Sequence, residues 1–103
     1  MPKNLDEQSL ADVMMSNGRP FAVVFTAIWC PYCKRLAPII EEIANEQKDT
    51  LDIYNIDIDD HPDIADRYDV MTIPTVYMIK DGEVVGNVVN PGTKEAVLAL
   101  ITT

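Results

Sequence analysis

From Phe21 to Thr26 the chain reads Phe-Ala-Val-Val-Phe-Thr without a charged residue. A strand with one wet face alternates apolar and polar positions, so this continuous run predicts a central strand covered on both faces. Downstream, Leu36, Ile39, Ile40, Ile43 and Ala44 recur at helical spacing, while Arg35, Glu41, Glu42 and Glu46 fall on the opposite side. That pattern predicts an amphipathic helix over residues 34–47, with a kink where Pro38 removes a backbone donor. Residues 53–58 read as a second strand. His61-Pro62 then opens a short helix, with Pro62 at its first position and Ile64, Ala65 and Tyr68 facing inward. Residues 75–79 and 83–89 read as two strands joined through Asp81-Gly82, a strong two-residue hairpin signal. Thr93 is placed to cap a last helix carrying Val97, Leu98 and Ile101. At the other end, Asn4, Leu5, Asp6 and Glu7 resemble a helix start with a reciprocal cap, followed by Leu10, Val13 and Met14 and closed by Asn17-Gly18.

The order is therefore helix, strand, helix, strand, helix, strand, strand, helix, with a parallel crossover first and an antiparallel hairpin last. It predicts an α/β fold: a mixed sheet of four to five strands flanked by helices on both faces. Neither a repeat nor a linker divides the 103 residues, so a single domain over 1–103 is expected. A formal charge of −9, from 17 acidic against 8 basic residues, repels phosphate backbones and anionic lipid, which argues against nucleic-acid and membrane partners. No apolar segment approaches the roughly 20 residues that span a bilayer, and no leader pattern opens the chain, so a cytoplasmic protein is expected.

With two cysteines only, the chain is not a disulfide-dense secreted scaffold. Cys30 and Cys33 stand three apart where the central strand gives way to a helix, on one face and within reach of a disulfide. With Cys30 as N-cap, Pro31 takes the first helical position at no cost, and the amides of Tyr32 and Cys33 are expected to point at the Cys30 sulfur. Together with the helix dipole they would stabilise a thiolate there. This predicts a dithiol–disulfide cycle in which exposed Cys30 is the nucleophile and shielded Cys33 resolves. A structural bridge around so short a loop stabilises by only about 2 kcal/mol, and zinc needs about four ligands where two cysteines and His61 offer three. No metal and no cofactor are expected.

The stretch Phe25-Thr26-Ala27-Ile28-Trp29-Cys30-Pro31-Tyr32-Cys33-Lys34, with Leu36-Ala37-Pro38, Ile73-Pro74-Thr75 and Lys80-Asp81-Gly82-Glu83, resembles the thioredoxin family. The resemblance implies the thioredoxin fold and reduction or exchange of protein disulfides. It implies that Pro74 is a cis proline beside the cysteines, that the Ile73 backbone pairs with an extended substrate, and that Trp29 lines the same surface. The implied partners are disulfide-containing client proteins and a reductase or other dithiol donor, the chain acting as a monomer.

The sequence also departs from that family. Pro31-Tyr32 replaces the usual Gly-Pro and is typical of glutaredoxins. Its free Tyr32 amide predicts a second donor to Cys30 and a milder reductant. Val24 and Asn55 replace an aspartate and lysine that manage the proton of the second cysteine, Thr26 replaces a common tryptophan, and Asn90-Pro91-Gly92 replaces a Val-Gly loop. Two alternatives stand beside the leading reading. One is a glutathione-dependent glutaredoxin, against which Trp29 and the absence of a Gly-Gly motif after Pro74 argue. The other is a non-catalytic interaction module on the same fold, which the cysteine pair disfavours.

Other features are read without chemistry. The aspartates from Asp57 to Asp69 lack the glycine and distal glutamate of a calcium loop and read as a solvated edge. His61 reads as a capping or surface residue, and Tyr54, Tyr68 and Tyr77 as core or sheet-face aromatics.

Overall fold

The computed structural model describes residues 3–4 and 20–102. Five strands form one mixed sheet in the order β1-β3-β2-β4-β5. They are β1 (Lys3–Asn4), β2 (Phe21–Thr26), β3 (Asp52–Asp57), β4 (Thr75–Lys80) and β5 (Glu83–Val89). The helices are α1 (Pro31–Glu46), α2 (Pro62–Arg67) and α3 (Lys94–Ile101). β2 pairs in parallel with β3 and antiparallel with β4, and β5 runs antiparallel to β4.

The apolar run of β2 has the cause its pattern implies, because alternate residues enter two separate cores. Ala22 and Val24 pack on one face with Leu36, Ile40 and Ile43 of α1 and with Val97 and Leu100 of α3. Phe21, Val23 and Phe25 pack on the other with Ile56 of β3 and Ile64 of α2. Each of the fully enclosed isoleucines 43, 56 and 64 contributes about 1.5–3 kcal/mol by leaving water. On the second face Phe25 meets Tyr77 edge-on at 5.4 Å, and the Tyr77 hydroxyl donates to the Tyr68 carbonyl at 2.6 Å, tying the end of α2 to the sheet. Burial raises both phenols above their ordinary range.

The hairpin at Asp81-Gly82 takes φ of 53° and 78° at its two central residues, the primed turn whose twist matches the flanking strands. Beyond it the β4–β5 register slips: Met78 faces Gly86 and Ile79 faces Val84, which leaves Val85 as an extra residue. Gly86 admits α3 closely, since a Cβ there would stand 3.1 Å from Leu100 Cδ1. Thr93 caps α3 as expected, accepting from the Ala96 N–H at 3.2 Å.

Several boundaries differ from the sequence reading. Asn4 lies in β1 rather than at a helix cap, because residues 3 and 4 find Tyr54 and Asn55 of β3 as ladder partners. The rest of that predicted helix lies outside the described residues. α1 begins at Pro31 and continues as one element through Pro38, its buried side carrying enough contact to offset one lost hydrogen bond. His61 occupies the N-cap position of α2, but its side chain makes no capping bond.

Candidate active site

The C-terminal end of β2 delivers the chain to α1 through four residues. The Cys30 N–H donates to the Ala27 carbonyl at 3.3 Å, closing a turn that sets Cys30 as N-cap with φ −85° and ψ 115°. Pro31 follows at the first helical position, where its missing donor costs nothing. In this geometry the Cys33 N–H donates to the Cys30 sulfur at 3.3 Å. A negative charge on that sulfur therefore gains a directed hydrogen bond and the positive end of a 16-residue helix. No acidic residue occupies the first turn, and Lys34 and Arg35 follow at once.

Two expectations change here. Cys30 is not the exposed thiol: it is 3% accessible and Cys33 6%, because Ala27, Ile58 and Ile73 pack around both. The two sulfurs differ in polar surroundings instead. Burial, then the hydrogen bond with Cys30, raises the Cys33 thiol above the ordinary thiol range. The second change concerns Tyr32, whose N–H is not among the donors to the Cys30 cap. The N-cap sulfur takes the amide of the third helical residue, Cys33, which a Gly-Pro dipeptide would leave equally free. Tyr32 therefore supplies no added donor that would make the protein a milder reductant.

Ile73 and Pro74 stand beside the pair. Their peptide bond is cis, and the Ile73 carbonyl lies 4.0 Å from the Cys30 sulfur. The Asn90 N–H donates to the Pro74 carbonyl at 2.6 Å, so the loop after β5 buttresses this turn. Flanking the cysteines, large apolar side chains are left open: Ile28, Trp29 and Tyr32 are 79%, 62% and 55% accessible. The Trp29 indole N–H donates to Asp59 Oδ2 at 2.7 Å. The Arg35 guanidinium lies over the Tyr32 ring, 5.5 Å from its centre, along a shallow groove bordered by Ile39, Asn90, Pro91 and Gly92.

The structure thus brings Trp29, Cys30, Pro31, Tyr32, Cys33, Ile73 and Pro74 to one corner of the molecule. The sequence reading did not foresee Asp59, whose partner is thirty residues away and whose place in an acidic run concealed it. Among the described residues no group of three or more His, Cys, Asp or Glu side chains is arranged to hold a metal ion, and no helix is long and apolar enough to cross a membrane.

The family model described as thioredoxin matches residues 2–103. The chain belongs to the thioredoxin family. It is a thioredoxin-type thiol–disulfide oxidoreductase, and Cys30 and Cys33 form its Cys-x-x-Cys pair. It is similar to the thioredoxin of Bacillus subtilis, 46% identical over 77 residues, which cover 75% of this chain and 74% of that one. It is also similar to the bifunctional thioredoxin reductase/thioredoxin of Mycobacterium leprae, 40% identical over 93 residues. That match covers 90% of this chain but only a fifth of the longer protein. Among solved structures, a chain from work on thiol resolution in yeast mitochondrial 1-Cys peroxiredoxin via glutathione/thioredoxin systems superposes with a TM-score of 0.88. The likeness covers 98% of this chain and 93% of that one at 24% identity, and shows the thioredoxin fold.

Proposed function

We propose that this thioredoxin-family chain reduces protein disulfides in the cytoplasm, as a monomeric single domain, with Cys30 as nucleophile and Cys33 as resolving thiol. The observation that carries the division of labour is the Cys33 N–H directed at the Cys30 sulfur, while the Cys33 sulfur itself is desolvated. Cys30 thiolate attacks one sulfur of a client disulfide; that bond breaks, a Cys30–client disulfide forms and the first client thiolate leaves. Cys33 then gives up its proton and attacks the Cys30 sulfur. The internal disulfide forms, the second client thiolate departs, and the client has gained two electrons and two protons. An extended client segment lies along the Ile73 backbone at Pro74, against Trp29 and Tyr32, whose open apolar faces give it something to cover.

The electron donor is a thioredoxin reductase or another dithiol. The bifunctional thioredoxin reductase/thioredoxin of Mycobacterium leprae, which joins both in one protein, supports the first. Insulin reduction followed by turbidity tests this reading. Wild type is expected to accelerate precipitation with dithiothreitol, Cys30→Ser to lose the effect, and Cys33→Ser to accumulate a covalent adduct with insulin. Activity confined to glutathione-linked substrates would replace it with the glutaredoxin reading, and no adduct at all with the non-catalytic module.

A further inference from the structure

The chain carries 17 acidic residues against 8 basic ones, yet the ground beside its cysteines is basic. No acidic residue occupies the first turn of α1, and Lys34 and Arg35 stand exposed directly after Cys33. Among the described residues Arg35 pairs with no carboxylate, whereas Glu42 and Glu46, farther along the same helix, are both taken by Lys94. The Arg35 guanidinium lies instead over the Tyr32 ring, 5.5 Å from its centre. A guanidinium held over an aromatic face keeps its N–H fork available, and that fork matches the two oxygens of a carboxylate.

Arg35 and Tyr32 border a groove of about 200 Å³ on the α1 side, and Asn90 and Gly92 border it from the loop after β5. Leu36, Ile39 and Pro91 complete it with apolar surface. A Cβ added at Gly92 would meet nothing within 4 Å, so that rim is open. Both borders adjoin the reacting sulfurs. Tyr32 stands between the two cysteines, and the Asn90 N–H donates at 2.6 Å to Pro74, in the cis turn whose Ile73 carbonyl lies 4.0 Å from the Cys30 sulfur.

We propose that this groove selects client disulfides flanked by an acidic side chain, with Arg35 as the residue that recognises the carboxylate. This rests on the exchange reading above and names the class of client it favours. The methylenes of a client glutamate cover Leu36 and Ile39, and its carboxylate meets the Arg35 fork. Charge complementarity favours this occupant: Lys34 and the positive end of α1 act in the same direction, and a basic client side chain is repelled. The overall charge of −9 opposes an acidic client only at long range. Beyond a Debye length of about 8 Å at physiological salt it is screened, so the cation in contact decides.

Synthetic peptides carrying one cysteine as its thiopyridine disulfide, with glutamate or glutamine scanned over the three positions on either side, test this on the reduced full chain. The Cys30 thiolate attacks the peptide sulfur, the bond to thiopyridine breaks, and the thiopyridone released is followed by absorbance. Each rate is read as a ratio, glutamate over glutamine at one position, so any change in Cys30 reactivity cancels. At physiological salt wild type is expected to give a ratio of about five at its best position, the upper end for an exposed ion pair, falling toward one in molar salt. Arg35→Gln should bring the ratio close to one, and Arg35→Glu should put glutamine ahead. Lys34→Gln removes the same charge outside the groove and should leave most of the preference. A wild-type ratio near one at every position, or equal loss in Arg35→Gln and Lys34→Gln, would overturn the proposal. Release that persists in Cys30→Ser would instead overturn the exchange reading.

Discussion

Cys30 and Cys33 are covered to nearly the same degree, so their different chemistry follows from neighbours rather than exposure. One sulfur sits at a helix N-terminus with an amide aimed at it, and the other faces apolar walls. The same reasoning governs Val24, which is 4% accessible and packs among Leu36, Ile40 and Met78. An aspartate there would be packed among apolar side chains, and Val24→Asp should cost about 3 kcal/mol at neutral pH. Its folded pKa would be raised above the unfolded value, so the native state binds the extra proton and stability falls as pH rises between the two. Urea denaturation should therefore show a large deficit at pH 7 and a smaller one near pH 4. Equal stability to wild type at pH 7 would show that position 24 does not sense the core.

At the scale of elements, the tie between α1 and α3 is the clearest case where charge fixes a relation between helices. Lys94, at the first position of α3, donates to Glu42 at 2.7 Å and Glu46 at 2.6 Å across two turns of α1. Hydrogen bonding with Lys94 lowers the Glu42 carboxyl, and bonding with Glu42 and then Glu46 raises the Lys94 amine. The carboxylate's contribution is present above its unfolded value and lost as pH falls through the lowered folded one. The lysine's is present below its unfolded value and lost as pH rises through the raised one. All three groups are solvated, so Lys94→Met should lower Tm only slightly near neutral pH, and the difference should disappear in molar salt. Most elements of this kind were legible in the sequence, because apolar periodicity and turn residues such as Asp81-Gly82 act locally. The tie itself was not, since residues 42, 46 and 94 are brought together only by the fold. The same limit applies at the site: the Cys30-Pro31-Tyr32-Cys33 motif is local and was readable, whereas Trp29 with Asp59, and Ile58 and Ile73 over the thiols, depend on tertiary approach. β1 was misread because two residues hold too short a pattern to compete with a cap signal.

Taken whole, the molecule is a sheet with a core on each face, and its chemistry is gathered where β2 ends between them. β5 closes one side of the strand order, with Val84, Val85 and Val89 open to solvent. Such a border invites a second chain to add itself as a sixth strand and so begin an aggregate. The register slip at Val85 counters this, because one unmatched residue kinks the outermost strand and spoils the straight ladder that an incoming chain would have to copy. Removing Val85 would make β4 and β5 regular over their full length. The deletion variant should show greater light scattering than wild type after prolonged incubation at high concentration, while its thiols still react. Colloidal behaviour would then be set by a single surplus valine, on the far side of the sheet order from β1 and apart from the cysteine pair.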